Sequence, residues 1–223
     1  MNDKIKYLKE AQEKAEVLFS LIDEKQLIKA NKTEKQLSEE IYQLAKESIG
    51  ISKFWHKKIV RAGINSVLPY DFNPKNSFIQ EDDIVWVDFG PIFNSYEADL
   101  GRTYVLGNDP EKVKIKEATE ITWHETRDYY ISKEKISGKE LFEFVTEKAL
   151  ENGFLFGNDI AGHLIDQFSH NKLHKKTPLN YICSDNYTDL KNQYEGKDRF
   201  WVLEIHFINK EKTYGSFFEQ LLI

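Results

Sequence analysis

The chain has 223 residues, 40% of them hydrophobic and 13% aromatic, with a formal net charge of −6. That is enough apolar material for a sizeable core, and the acidic balance, with no Lys/Arg run interleaved with aromatics, argues against a nucleic-acid binder, which needs positive charge to neutralise phosphates. One cysteine excludes an intrachain disulfide, and with no secretory signal and no run of 18 apolar residues visible, the expected location is the cytoplasm, with no membrane partner.

Residues 3–30 read as a helix, with Leu8, Ala11, Ala15, Leu18 and Leu21 at spacings of three and four. Asn31-Lys32-Thr33 breaks it. Thr33 then caps a second helix carrying Leu37, Ile41 and Leu44, which ends near Gly50. Residues 63–83, rich in Gly, Asn and Pro, read as a loop. Ile84-Val85-Trp86-Val87 is a strand, turned by Phe89-Gly90-Pro91, and Ile92 to Tyr96 and Arg102 to Leu106 are further strands. Asp109-Pro110-Glu111 starts a helix running to about Ile131, and Ser137-Gly138 opens another that ends at Asn152-Gly153. Residues 157–198 carry mixed signals: His174-Lys175-Lys176 reads as solvated loop and Cys183 as a small packing residue. Phe200 to Phe207 and Thr213 to Leu222 are strands joined in a hairpin. No internal repeat, regular βαβ rhythm or glycine-rich phosphate loop is present, which sets a Rossmann fold aside.

Four acids stand in apolar strand sequence. Asp88 ends the strand at 84–87, and Asp99 follows after a segment that can fold back as an antiparallel partner. Glu204 lies in WVLEIHF and Glu219 in FFEQLLI. A carboxylate buried in such a strand is costly unless something positive meets it. For the aspartates a structural partner such as Arg61 or Arg102 competes with a metal ion. Alternation puts Glu204 and His206 on one strand face. His163, after Ala161-Gly162, reads by itself as a hydrogen-bonded structural histidine rather than a ligand.

Taken together, these segments resemble the superfamily of methionine aminopeptidase, Xaa-Pro aminopeptidase, prolidase and creatinase. That family uses Asp, ten residues, Asp, then Gly/Thr-Arg-Thr, and this chain has Asp88, ten residues, Asp99, and Gly101-Arg102-Thr103. Gly162-His163 with His170 is similar to the family's ligand His and catalytic His, and Leu203-Glu204 and Phe218-Glu219 to its two closing glutamates. The resemblance spans residues 33–223 and implies an α+β pita-bread fold, a curved antiparallel sheet with helices on its outer side, so the whole of 1–223 is expected to be one catalytic domain with an N-terminal helix at 1–30 and no larger N-terminal domain. Where many members place a substrate-contacting His, eighteen residues before the first Asp, this chain has Tyr70. His56 is elsewhere in the sequence and is not expected to take that place.

The resemblance implies two divalent ions on Asp88, Asp99, His163, Glu204 and Glu219, with Mn²⁺ favoured and Zn²⁺, Co²⁺ or Fe²⁺ also compatible. Asp99 and Glu219 bridge, His163 and Glu204 complete one site, and Asp88 the other. Glu204 moves the proton, His170 meets the oxyanion, and Tyr70 and His206 face the substrate. The implied activity is hydrolysis at the N-terminus of peptides, Xaa-Pro aminopeptidase-like given the DFGP and FSH stretches. A homodimer is the protein partner the sequence leaves open. The rivals are an inactive relative that binds peptide or protein, a creatinase-like hydrolase of a small C–N bond, and a structural domain without metal.

Overall fold

The structure is a computed structural model that describes residues 3–51, 53–167 and 177–223. Two helices come first, α1 (Asp3–Glu24) and α2 (Glu34–Ile49), then strands β1 (Ile59–Ala62), β2 (Ile84–Phe89), β3 (Ile92–Phe93), β4 (Tyr96–Glu97) and β5 (Leu100–Val105). Helices α3 (Pro110–Ser132) and α4 (Gly138–Glu151) follow, and β6 (Leu155–Phe156), β7 (Gly162–Ile165), β8 (Phe200–Ile208) and β9 (Gly215–Leu221) complete the order.

Local chemistry sets most boundaries. Thr33 and Ser137 each form a reciprocal capping box, with Gln36 and Glu140, and Asp109 caps α3 ahead of Pro110. Gly50 closes α2 in the left-handed region at φ 68°. The expected helix over 3–30 stops at Glu24 instead. Gln26 turns to φ 48°, its N–H donates to the Asp23 carbonyl and that of Leu27 to Ile22. This is a Schellman closure made by a glutamine, with Leu27 folding back onto the core. The expected strand Ile92 to Tyr96 is likewise two short strands, because Asn94 and Ser95 both take positive φ (48° and 75°), as a tight primed hairpin turn requires. The 63–83 segment includes a 3-10 turn, Gly63–Val67, and β1 lies just before it, where no element is expected from sequence.

A seven-stranded sheet runs β1-β2-β5-β9-β8-β6, with β7 also pairing β8, and it does not close on itself. Every ladder in it is antiparallel. One face packs on helices. Val85, Val87 and Leu100 join α1 and α2, while Leu203, Ile205, Phe207 and Phe218 join α3 and α4. Trp123 on α3 fixes that packing by donating from its indole to the Leu203 carbonyl at 2.9 Å. Arg102 also points to this side, donating to the carbonyls of Gly101 and Glu219, both at 2.8 Å, and lying over Phe218. The opposite face is concave and holds the acids. No described helix is long and apolar enough to cross a membrane. Cys183 is buried, its thiol beside the Pro178 carbonyl, as a packing residue.

Candidate metal centre

Sheet register assembles the site. Asp88 pairs with Gly101, Gly101 with Glu219, and Glu219 with Glu204, so one row crosses β2, β5, β9 and β8. Residues directly opposite in a ladder share a face, which puts three carboxylates on the concave side with a glycine between two of them. A side chain at Gly101 would press on the ring of Phe217 at about 2.4 Å. Asp99 stands immediately before β5. His163 enters from β7, paired with Val202. Gly162 makes that approach feasible: at φ 151°, with any Cβ only 2.1 Å from the Val202 carbonyl oxygen, the position accepts glycine alone.

These groups line a cavity of about 380 Å³, enough for a small peptide segment. Asp99 is its centre. Its Oδ1 lies 3.2 Å from His56 Nε2 and its Oδ2 lies 3.1 Å from His163 Nε2. His163 Nε2 is also 3.6 Å from Glu219 Oε1, and His56 Nε2 is 3.3 Å from Asp88 Oδ1. Two donor sets of the kind that holds a metal ion result, His56–Asp88–Asp99 and Asp99–His163–Glu219, with Asp99 common to both. The arginines that compete for the aspartates are engaged elsewhere: Arg61 donates to the Phe72 carbonyl and Arg102 to its strand neighbours, and among the described residues neither makes a salt bridge to Asp88 or Asp99.

Burial dominates the electrostatics. It raises the Glu204 carboxyl to about 8 despite His163, and Asp88 to about 7 despite His56. It also raises Glu219 well above the carboxylate range, with Asp99 adding to the effect. Asp99 is the exception. Burial would raise it, but His56 and His163 outweigh that and hold it at about 2. His56 is pulled down by burial and pushed up more strongly by Asp88 and Asp99, to about 9, and His163 is raised by its bonds to Asp99 and Glu219. Without cations the cup must therefore retain several protons. Three buried oxygens, Asp88 Oδ1, Glu204 Oε1 and Glu219 Oε2, have no hydrogen-bond partner among the described residues. The Asp88 Oδ1 contact with His56 is close but not aligned as a hydrogen bond. Orphaned carboxylate oxygens in a donor set of acids and imidazoles fit divalent cations.

Tyr70 is at the cavity rim, half-exposed, with its ring edge-on to His56 at 5.7 Å. His206 shares the Glu204 face as alternation requires, but its ring is buried against Trp86 and Phe217, and Nε2 is 2.9 Å from the Ser66 carbonyl. Burial drops it to about 4, so it is a neutral floor residue of the cavity. His170 lies outside the described residues, as does His174-Lys175-Lys176. His56 is the member of the cluster that sequence reasoning missed. The available signal was Trp55-His56 standing apolar and aromatic just before Lys57-Lys58.

The sequence model of metallopeptidase family M24 matches residues 6–219. An Xaa-Pro dipeptidase of Pyrococcus furiosus is 29% identical over 128 residues, which is 57% of this chain and 36% of that protein. Among solved structures, an X-Pro aminopeptidase from Thermotoga maritima superposes with a TM-score of 0.77 at 22% identity, covering 98% of this chain and 57% of the other. A methionine aminopeptidase from Thermotoga maritima gives 0.72 at 16% identity, covering 99% and 92%. At these identities the structural likeness establishes the pita-bread fold. The chain spans little more than half of the solved X-Pro aminopeptidase, and the matched stretch little more than a third of the curated dipeptidase.

Proposed function

The chain belongs to metallopeptidase family M24, and from that premise we propose that it hydrolyses the N-terminal peptide bond of short peptides, with Xaa-Pro sequences as the first class to try. Asp88, Asp99, His163, Glu204 and Glu219 would hold two divalent ions in this reading. Mn²⁺ is the first candidate, and Zn²⁺, Co²⁺ and Fe²⁺ suit the same donors. The observation that carries the reading is the split of Asp99, whose two oxygens serve two different donor sets.

Divalent ions held there supply Lewis acidity and make water a nucleophile near neutral pH. The protein's own groups do the rest. The cavity walls exclude bulk water and orient the peptide, with Tyr70 at the rim able to donate a hydrogen bond to it. His170 donates to the developing oxyanion. His206 holds the floor through Ser66. Residues 1–223 act together as one catalytic domain, active in the cytoplasm, and a second copy is the protein partner to look for.

The test is a panel of dipeptides and tripeptides, with and without Xaa-Pro, incubated with Mn²⁺-loaded protein while released amino acids are quantified. Metal-dependent release of the first residue is expected, and it should be abolished in Glu204→Gln. Peptide binding without turnover across the panel would favour a binding module instead. Release of internal fragments would contradict N-terminal specificity.

A further inference from the structure

We infer that His56 is a ligand of the ion on the Asp88 side, so that each of the two ions takes one imidazole. This rests on the two-ion reading above and adds a residue to it.

His56 and His163 are held alike. In each, Nδ1 meets the carbonyl of the next residue, Lys57 at 2.6 Å and Leu164 at 3.0 Å. A carbonyl only accepts, so Nδ1 carries the hydrogen and Nε2 faces the cluster in both rings. That is the arrangement by which proteins orient a metal-binding histidine. Each Nε2 then meets its own oxygen of Asp99, at 3.2 and 3.1 Å. Donor atoms sharing an ion at roughly 2.1 Å and near right angles sit about 3 Å apart, which is the spacing seen between His56 Nε2 and the Asp88 and Asp99 oxygens.

The position is also built. The His56 side chain is 2% exposed. Trp55 donates from its backbone N–H to the Gly90 carbonyl and from its indole to the Ala98 carbonyl, both at 3.0 Å. A Cβ at Gly90 would come within 2.2 Å of the His56 ring and 2.3 Å of the Trp55 indole. Glycine after Asp88-Phe89 thus opens the space the imidazole fills. Tyr70 covers its outer edge.

Protein loaded with Co²⁺ tests this by proton NMR in water, where the Nδ1–H of each ligating imidazole gives a hyperfine-shifted resonance that disappears in deuterium oxide. With two Co²⁺ bound, two such resonances are expected. In His56→Gln one should remain, and the second ion should bind about 10- to 100-fold more weakly, at least the loss typical of an outer-shell partner. Two Co²⁺ bound with only one exchangeable shifted resonance overturns the assignment of His56 and leaves the two-ion reading intact. Fewer than two Co²⁺ in the wild type overturns the two-ion reading itself. The wild-type spectrum alone decides the point if the variant does not fold.

Discussion

Titrating Mn²⁺ into the metal-free protein at pH 7 should release more than one proton per chain, because ligands coordinate only in their deprotonated forms. Burial raises Glu204 to about 8, so that carboxyl retains most of its proton at pH 7. Burial also pushes Glu219 well above the usual carboxylate range, and His163 is raised by its bonds to Asp99 and Glu219 against burial, so both shifts add to the release. Asp88, raised by burial to about 7, is half protonated, whereas Asp99, held at about 2 by His56 and His163 against burial, has no proton to give. If His56 ligates, its proton, retained up to about pH 9, is released as well. The assay is isothermal titration calorimetry in buffers of different ionisation enthalpy, whose slope counts protons. Release should shrink between pH 7 and pH 9 as Asp88 and Glu204 ionise unaided, and apparent affinity should rise over the same interval. Release of less than one proton at pH 7, or a count that does not fall by pH 9, would refute the buried-carboxylate reasoning.

Other predictions probe the frame around the site. Gly162→Ala should lose about 2 kcal/mol or more in urea denaturation and bind less metal, since the new Cβ meets the Val202 carbonyl at 2.1 Å and displaces His163; a loss under about 0.5 kcal/mol contradicts this. His206, lowered by burial to about 4, takes up its proton in the unfolded chain before the folded one as pH falls. Stability from the neutral ring is present above about pH 6.5 and lost on descent toward 4, so metal-free wild type should lose about 2–3 kcal/mol more than His206→Gln between pH 7 and 4.5; equal losses would count against it. Gln26→Gly should gain about 0.5 kcal/mol, read as a rise in melting temperature, because φ 48° favours glycine; a decrease would show the turn to be held otherwise. His170→Ala should retain metal and lose most turnover, and wild-type-like rates in that variant would remove His170 from the reaction.

What could be read from the sequence was local. Thr33, Asp109-Pro110 and Ser137 each announce a helix start because the capping bond lies within three residues. Gln26 and Asn94-Ser95 were not legible as turns, since their left-handed conformations are imposed by packing and no glycine marks them. β1 was missed because four residues containing Arg61 offer little apolar pattern, and β7 because Gly162 interrupts it. The convergence of four acids and His163 was legible through the resemblance to the aminopeptidase superfamily; the residues by themselves left arginine partners open for the aspartates and a structural role open for His163. The row Asp88–Gly101–Glu219–Glu204 depends on register across β2, β5, β9 and β8, which no single segment encodes. His56 was hidden for the same reason: Trp55, Gly90 and Ala98 fix it through contacts distant in sequence.

Anomalous diffraction from crystals grown with Mn²⁺ locates the ions themselves. Two peaks are predicted, one within coordination distance of Asp99 Oδ1 and Asp88, the other of Asp99 Oδ2, His163 and Glu219. A single peak, or none beside Asp99, would mean that the cup does not hold a pair of ions.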